Sequence, residues 1–317
     1  MRANQLTFLA VAACTLLALA AGSAPGGMIY WTDSGTQKIQ RAPADGGPVE
    51  DIVMDSLPGG IAFDLLQGKM YWTSVIGGTI KRTNLDGTGS ETIVSGLIRP
   101  RGIALGQDPS KIYWTEAHVS TRRIQRANLD GTGVEQLVTE NGYPYAIAVG
   151  SMRMYWANCG DLPASHIKRA DLDGSHDMDY VAVGDFWAVA LDEEAGYLYW
   201  ASRFYIMRGP MDAHNDPGNA ETLYDTHGGQ LKGLALDLDG GKMYWTEKGA
   251  FTGIKRANLD GTDVEVIVSG LIQPGGIAFL VPEPATLGLL ALGGLPLVRR
   301  RRPSSGRRPC QHRLANG

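Results

Sequence analysis

The sequence predicts an all-β fold, a six-bladed β-propeller closed by pairing of its N-terminal and C-terminal strands. Three observations predict it. The pair Tyr-Trp recurs at Tyr30-Trp31, Tyr71-Trp72, Tyr113-Trp114, Tyr155-Trp156, Tyr199-Trp200 and Tyr244-Trp245, separated by 41, 42, 42, 44 and 45 residues. A near-constant period of this length marks a repeat whose unit is the size of one four-stranded blade. Every unit then carries the same further landmarks in the same order, and the two ends of the array are complementary.

The first landmark is an apolar strand that alternates small and large residues: Gly60 to Asp64, Gly102 to Leu105, Ala146 to Val149, Ala188 to Asp192, Gly233 to Asp237 and Gly276 to Phe279. Small side chains suit strands crowded around an axis. The Tyr-Trp strand follows, then an Ile-x-Arg strand starting at Ile39, Ile80, Ile124, Ile167, Ile206 and Ile254. Five units next turn on Asp-Gly, at Asp45-Gly46, Asp86-Gly87, Asp130-Gly131, Asp173-Gly174 and Asp260-Gly261. That pair favours a hairpin because both residues tolerate positive φ. The fifth unit departs, with Asp212-Ala213 and a longer polar loop through Asn219. A fourth, outer strand ends the unit, as in Glu91-Thr92-Ile93-Val94.

The first Tyr-Trp strand has no inner strand before it, and the last inner strand, Gly276 to Phe279, has no Tyr-Trp strand after it. Joining the two makes one mixed blade and removes the exposed edges that an open array would leave. The propeller is thus expected over residues 25–280.

Glycine is abundant at 42 residues, which suits short strands and tight turns. The net charge of −4 conceals an asymmetry. Of 29 basic residues eight lie at the chain ends, Arg2 and seven arginines after residue 298, which leaves 21 against 33 acidic residues and about −12 for the middle. Nucleic acid is therefore not an expected partner. Only Cys159 of the three cysteines falls in the middle, so no internal disulfide is expected there and cysteine usage does not mark the compartment.

The ends of the chain read as addresses. Residues 1–24 combine Arg2, an apolar run from Leu6 to Ala21 and small residues at Ala18, Ala20, Gly22 and Ala24, the pattern of a cleaved signal peptide. The alternatives are a retained anchor, for which the run is shorter than the roughly 20 residues of a span, and a lipoprotein at Cys14, past which the run continues. Residues 281–302 hold Pro282-Glu283-Pro284, an apolar stretch from Ala285 to Val298, and Arg299, Arg300, Arg301 and Arg302. Physically this is a short membrane-dipping segment with a cationic stop. It closely resembles the PEP-CTERM sorting signal of bacteria that make extracellular polysaccharide. The resemblance implies transient recognition by an exosortase-type protease, cleavage near Pro282-Glu283-Pro284, and membrane attachment before processing. Residues 303–317 extend beyond that pattern and are expected to be a disordered basic tail. The body is therefore expected to be exported to the cell envelope or beyond.

The repeat resembles the YWTD (low-density lipoprotein receptor class B) repeat over nearly all of residues 28–280, and that family's propellers also have six blades. Only Tyr30-Trp31-Thr32-Asp33 carries the full motif; the others read YWTS, YWTE, YWAN, YWAS and YWTE. Contacts made by the motif's Asp are expected to be replaced or absent in those units.

Repeated positions are expected to be scaffold. The variable face is the one shared by the residues before each inner strand and the loop after each Tyr-Trp strand. The former are Gly59, Arg101, Tyr145, Trp187, Lys232 and Gly275, which converge on the axis by this alignment. The candidate ligand surface is Arg101, Tyr145, Trp187 and Lys232 with Phe186, Glu116, His118, Arg203, Phe204, Tyr205 and Glu247; aromatic and arginine anchors are typical of binding hot spots. The alternative is that these side chains plug the channel mouth and pair with neighbouring acids. The reading is a binding module for an extracellular protein or polysaccharide, with no catalytic residues, cofactor or metal assigned. Two other classes stay open. A metal-dependent lactonase-like or esterase-like hydrolase would draw on Glu116, Asn158, Glu247 and Asp33, and a purely structural matrix protein would need no ligand.

Overall fold

The computed structural model describes residues 26–106, 111–159, 165–182, 184–212 and 220–281. The signal, sorting and tail segments, and the loop from Ala213 to Asn219, lie outside them. Among the described residues there are 24 strands in six four-stranded antiparallel sheets and no helix. The first three strands, β1 (Met28–Asp33), β2 (Lys38–Pro43) and β3 (Glu50–Met54), share a sheet with the last, β24 (Pro274–Leu280), in the order β24-β1-β2-β3. Met28 pairs with Leu280 and Asp33 with Pro274, so the chain's two ends close the ring as the sequence predicts.

The other five blades are continuous in sequence. Blade 1 is β4 (Pro58–Asp64), β5 (Lys69–Ser74), β6 (Thr79–Asn84) and β7 (Glu91–Val94). Blade 2 is β8 (Pro100–Leu105), β9 (Lys111–His118), β10 (Thr121–Asn128) and β11 (Glu135–Thr139). Blade 3 is β12 (Tyr143–Val149), β13 (Arg153–Cys159), β14 (His166–Asp171) and β15 (Met178–Ala182). Blade 4 is β16 (Phe186–Asp192), β17 (Tyr197–Ser202), β18 (Tyr205–Pro210) and β19 (Glu221–Asp225). Blade 5 is β20 (Gln230–Asp237), β21 (Lys242–Lys248), β22 (Gly253–Asn258) and β23 (Glu265–Ser269). The closing sheet is blade 6.

A blade covered on both faces must bury its second strand completely, and the six tryptophans of the Tyr-Trp strands are 0–1% exposed. The apolar clusters lie between blades. Tyr71 and Ile80 of blade 1 pack with Ile103, Ile112 and Trp114 of blade 2, and Ile29 and Trp31 of blade 6 pack with Ala235, Tyr244 and Ile254 of blade 5. Close approach of backbones explains the small residues of the inner strands. A Cβ on Gly102 would stand 2.5 Å from the Tyr145 carbonyl oxygen of the next blade.

The Ile-x-Arg strands supply a ring of equivalent inter-blade bonds. Arg41, Arg82, Arg126, Arg169, Arg208 and Arg256 donate to the carbonyls of Leu85, Leu129, Leu172, Met211, Leu259 and Ala44, each in the following blade, at 2.8–3.3 Å. Five of them also pair with an outer-strand glutamate of their own blade, as Arg256 does with Glu265 at 2.7 Å. In blade 3 Met178 takes that place beside Arg169.

The Asp-Gly turns form as hairpins, with a correction to their chemistry. Only the glycine is left-handed, at φ +86° for Gly87, and its N–H donates to Asn84 O. This is a three-residue connection of a type I turn plus a left-handed glycine. The Asp86 carboxylate instead accepts from the N–H and hydroxyl of Thr88, and Asp130, Asp173 and Asp260 do the same with Thr132, Ser175 and Thr262.

Asp33 of the one complete motif accepts four backbone N–H groups, from Gly35, Thr36, Ile272 and Gln273, and straps blade 6 to the chain arriving from blade 5. Where the Asp is lost, another carboxylate stands in four blades, each paired with a cation of the third strand. Asp55 binds Ser74 and Lys81, Glu116 binds Arg123 and the Ile98 N–H, Glu140 binds Asn158 and Lys168, and Glu247 binds Lys255. In blade 4 the equivalent Ser202 hydroxyl bonds within its own turn to Tyr205.

Two outcomes are expected. Arg256→Ala, which orphans Ala44 O across the closure, lowers stability by about 2 kcal/mol in urea unfolding, whereas Arg99→Ala shifts it by less than about 0.5 kcal/mol. The hydroxyl of Thr262 holds the Asp260 carboxyl below the usual aspartate range. In an NMR titration Asp260 therefore titrates below an ordinary aspartate, and Thr262→Val moves it back up. The sign for stability follows: the contribution is present above the ordinary aspartate pKa and is lost as pH falls through the depressed value.

Candidate functional site

All six axial residues occupy a β-bulge. In blade 3 Pro144 pairs with Asn158 and Ala146 with Ala157, which leaves Tyr145 unpaired, and Trp187 and Lys232 are extra in the same way. In blades 1, 2 and 6 two residues, Gly59-Gly60, Arg101-Gly102 and Gly275-Gly276, oppose one. A bulge re-aims a side chain that strict alternation would commit to a sheet face. Threonines of the second strands fasten the bulges to one another. Thr115 accepts from Gly102 N and donates to Tyr145 O at 3.1 Å; Thr73 accepts from Gly60 N and donates to Arg101 O; Thr32 and Thr246 donate to Gly59 O and Gly275 O.

The bulges surround a cavity of about 490 Å³ at the upper end of the axis, lined by all six bulge residues together with Lys248, Gln230 and Gln273. Two of the six rim positions are glycine, Gly59 and Gly275. The other four form a continuous ladder. The Arg101 guanidinium lies 5.2 Å from the Tyr145 ring centre, Tyr145 meets Trp187 edge-on at 4.9 Å, and the Lys232 ammonium sits 3.4 Å above the Trp187 ring. Cation–π contacts of this kind contribute roughly 0.5–2 kcal/mol each and hold the groups in place. Burial pushes the pKa of both Arg101 and Lys232 down.

Among the described residues no carboxylate forms an ion pair with Arg101 or Lys232; Asp185 acts on Lys232 only through space. Arg99, Arg101, Arg122, Arg203, Lys232 and Lys248, all on the upper face, have no ion-pair partner among the described residues. The carboxylates nearest in sequence are committed elsewhere.

Residues 27–65 match the low-density lipoprotein receptor repeat class B. A low-density lipoprotein receptor-related protein 1 of Pyricularia oryzae is 29% identical over 82% of this chain and 81% of its own length. The vitellogenin receptor Yl of Drosophila melanogaster is 36% identical over 28% of this chain, which spans only 5% of that receptor. Among solved structures, a chain of a nidogen/laminin complex superposes with a TM-score of 0.68 at 19% identity, over 81% of this chain and 99% of its own. A gluconolactonase of Xanthomonas campestris reaches 0.59 at 16% identity, over 78% of this chain and 86% of its own. At these identities the likeness to solved structures is one of fold.

The class B match spans β1 to β3 and β4, and the structure sorts the candidate residues around that scaffold. Arg101, Tyr145, Trp187 and Lys232 meet at the cavity. Arg203, Phe204 and Tyr205 do not line it; they lie in and beside the turn between β17 and β18, with Arg203 stacked on Phe204 at 5.2 Å. His118 lines a separate cleft beside Arg101. Three assignments to the surface are corrected. Phe186 is 2% exposed in the apolar core between blades 3 and 4, and its carbonyl accepts from the Cys159 thiol at 2.6 Å. Glu116 and Glu247 are 0% and 2% exposed, because β9 and β21 continue past them and turn their carboxylates toward Arg123 and Lys255. None of Asp33, Glu116, Asn158 and Glu247, the residues considered for an axial ion, lines the axial cavity. Lys248, Gln230 and Gln273 were not anticipated. They reach the cavity from strand ends, and no spacing in the sequence marks them.

Lys232→Met is expected to leave the urea midpoint unchanged or raise it, because it removes a half-buried charge whose desolvation outweighs the through-space attraction of Asp185. Lys255→Met strands the buried Glu247 carboxylate and is expected to cost on the order of 3 kcal/mol.

Proposed function

We propose that this chain is an exported, envelope-sorted propeller that works as a protein-binding module rather than an enzyme, and that its ligand enters the axial mouth with an acidic side chain. The observation that carries the reading is the ladder of Arg101, Tyr145, Trp187 and Lys232, two half-buried cations fixed by aromatic rings and without an ion-pair partner among the described residues. A ligand carboxylate would supply charge-assisted hydrogen bonds there, each worth roughly 1.5–3 kcal/mol. The glycine side of the rim, Gly59 and Gly275, leaves room for the chain that bears it. The resemblance to receptor-related proteins supports a protein ligand, and the fold alone does not decide function.

A hydrolase reading would need an ion at the axis. The six bulge positions carry no Asp, Glu or Asn, and the carboxylates close to the mouth are spent on backbone N–H groups and third-strand cations.

Export and sorting rest on residues 1–24 and 281–302. What supports them from the fold is the placing of the described ends. Met28 and Leu280 pair at the end of blade 6 away from the cavity, while Pro274 and Gly275 line it. A tether at either end would leave the mouth clear.

The test is binding of the full chain to an array of peptides carrying Asp or Glu, with amide counterparts as controls. Retention of acidic peptides that weakens at least tenfold in the Trp187→Ala/Lys232→Ala variant, with the unfolding midpoint unchanged, is expected. Equal binding of the amide peptides or of the variant overturns the reading.

A further inference from the structure

Beside the axial mouth, on the outer side of Arg101 and Tyr145, lies a second cleft of about 280 Å³ lined by Arg99, Arg101, Ala117, His118, Val119, Tyr143 and Tyr145. Its polar side chains present donors. Arg99 and Arg101 carry guanidinium groups, which donate and never accept. His118 Nδ1 accepts the Ser120 N–H at 3.2 Å, which places the proton of the neutral ring on Nε2. The Tyr143 hydroxyl oxygen accepts from Arg122 Nη2 at 2.8 Å, with the Arg122 guanidinium 4.1 Å from its ring centre, so its own proton is free to donate.

Nothing in the fold consumes these donors. No carboxylate lines the cleft, and Arg99, Arg101 and Arg122 have no ion-pair partner among the described residues. The two carboxylates nearest in the blades concerned are taken: Glu116 by Arg123 and the Ile98 N–H, and Glu140 by Lys168, Trp156 and Asn158. Two guanidiniums beside one another with no counter-ion are costly unless an anion arrives.

We propose that this cleft binds the sulfate or carboxylate group of an acidic polysaccharide, held by Arg99, Arg101, His118 Nε2–H and the Tyr143 hydroxyl. The cleft's polar, donor-rich lining suits a hydroxylated ring better than an apolar side chain. The inference rests on the upper face being the recognition face, as proposed above. Apart from Arg101 and Tyr145, the cleft uses residues that the axial mouth does not. The module would thus hold a protein at the axis and a matrix glycan beside it.

The test measures binding of dextran sulfate, polygalacturonate and neutral dextran of matched length to the full chain by titration calorimetry at several salt concentrations. Arg99→Ala/His118→Ala and Tyr143→Phe alter this cleft alone, and Trp187→Ala/Lys232→Ala alter the axial mouth alone. Binding of both polyanions but not of dextran is expected. It should weaken at least tenfold in Arg99→Ala/His118→Ala, weaken detectably in Tyr143→Phe, and be unchanged in the axial variant. The salt dependence should become shallower in the first variant as its cationic contacts are lost. Undiminished polyanion binding by Arg99→Ala/His118→Ala overturns the proposal. So does tighter binding of polyglutamate than of dextran sulfate or polygalacturonate by the Trp187→Ala/Lys232→Ala variant, which would make the cleft part of the protein site. Loss of acidic-peptide binding with polyanion binding intact would count against the axial reading only.

Discussion

Closure of the ring is the constraint on which the rest of the molecule depends. A single blade cannot bury its own faces, and the apolar residues here are shared between neighbours, so every interface requires the one before it. The pairing of β1 with β24 supplies the last. The ring of arginines is the polar counterpart of that packing. Each bonds a carbonyl of the next blade, and Arg256 to Ala44 O completes the cycle across the chain's two ends. Burial of the six tryptophans and the apolar residues packed on them provides non-directional stabilisation, but it does not set register. The arginine bonds, the threonine bridges and the small inner-strand residues fix how far one blade may slide against another.

The same demand for closeness at the axis makes the site. Adjacent inner strands touch backbone to backbone at Gly102 and its equivalents, which leaves no room for alternation to place large groups there. An extra residue in each inner strand lifts one side chain out of that packing and points it along the axis. The scaffold therefore offers six variable positions whose neighbours are invariant in character. Filling two with glycine and four with a cation, two aromatics and a second cation gives a lopsided mouth, open on one side and charged on the other. The bridging threonine is absent where Ala157 and Ala201 replace it, so Trp187 and Lys232 are held instead by their ring contacts.

How much of this was legible in the sequence depended on whether a feature repeats. Tyr30-Trp31 and its copies, Ile39 and its copies, and the complementary ends revealed six blades and their closure because periodicity averages over local noise. The convergence of Arg101, Tyr145, Trp187 and Lys232 was legible for the same reason, since each precedes an aligned inner strand. Glu116 and Glu247 were misplaced because the loop was expected to begin at the motif's fourth position, while β9 and β21 run on and bury them against Arg123 and Lys255. The replacement of the motif's Asp by Asp55 and Glu140 was not legible. Those carboxylates arrive from the ends of outer strands, and only the fold brings them beside Ser74 and Asn158. The bulges, too, leave no mark in composition, because they are a matter of which backbone groups remain unpaired.

The charge balance reads differently once it is divided between the two ends of the blades. By net charge alone, an acidic body of about −12 repels anions. The exposed turn aspartates, such as Asp86, Asp130 and Asp260, stand at the lower end, while Arg99, Arg101, Lys232 and Lys248 stand at the upper. A strand of six residues separates the two by about 20 Å, and at physiological ionic strength charges are screened over about 8 Å. The two faces are electrostatically independent on that scale. A ligand approaching the mouth meets the local cations and not the net charge of the body. The lower aspartates are in addition occupied by Thr88, Thr132, Ser175 and Thr262, and Asp55, Glu116, Glu140 and Glu247 by third-strand cations. Because those carboxylates face outward along the blades, Arg99, Arg101, Lys232 and Lys248 form no ion pair among the described residues, which is the ground for proposing an external anion as their partner.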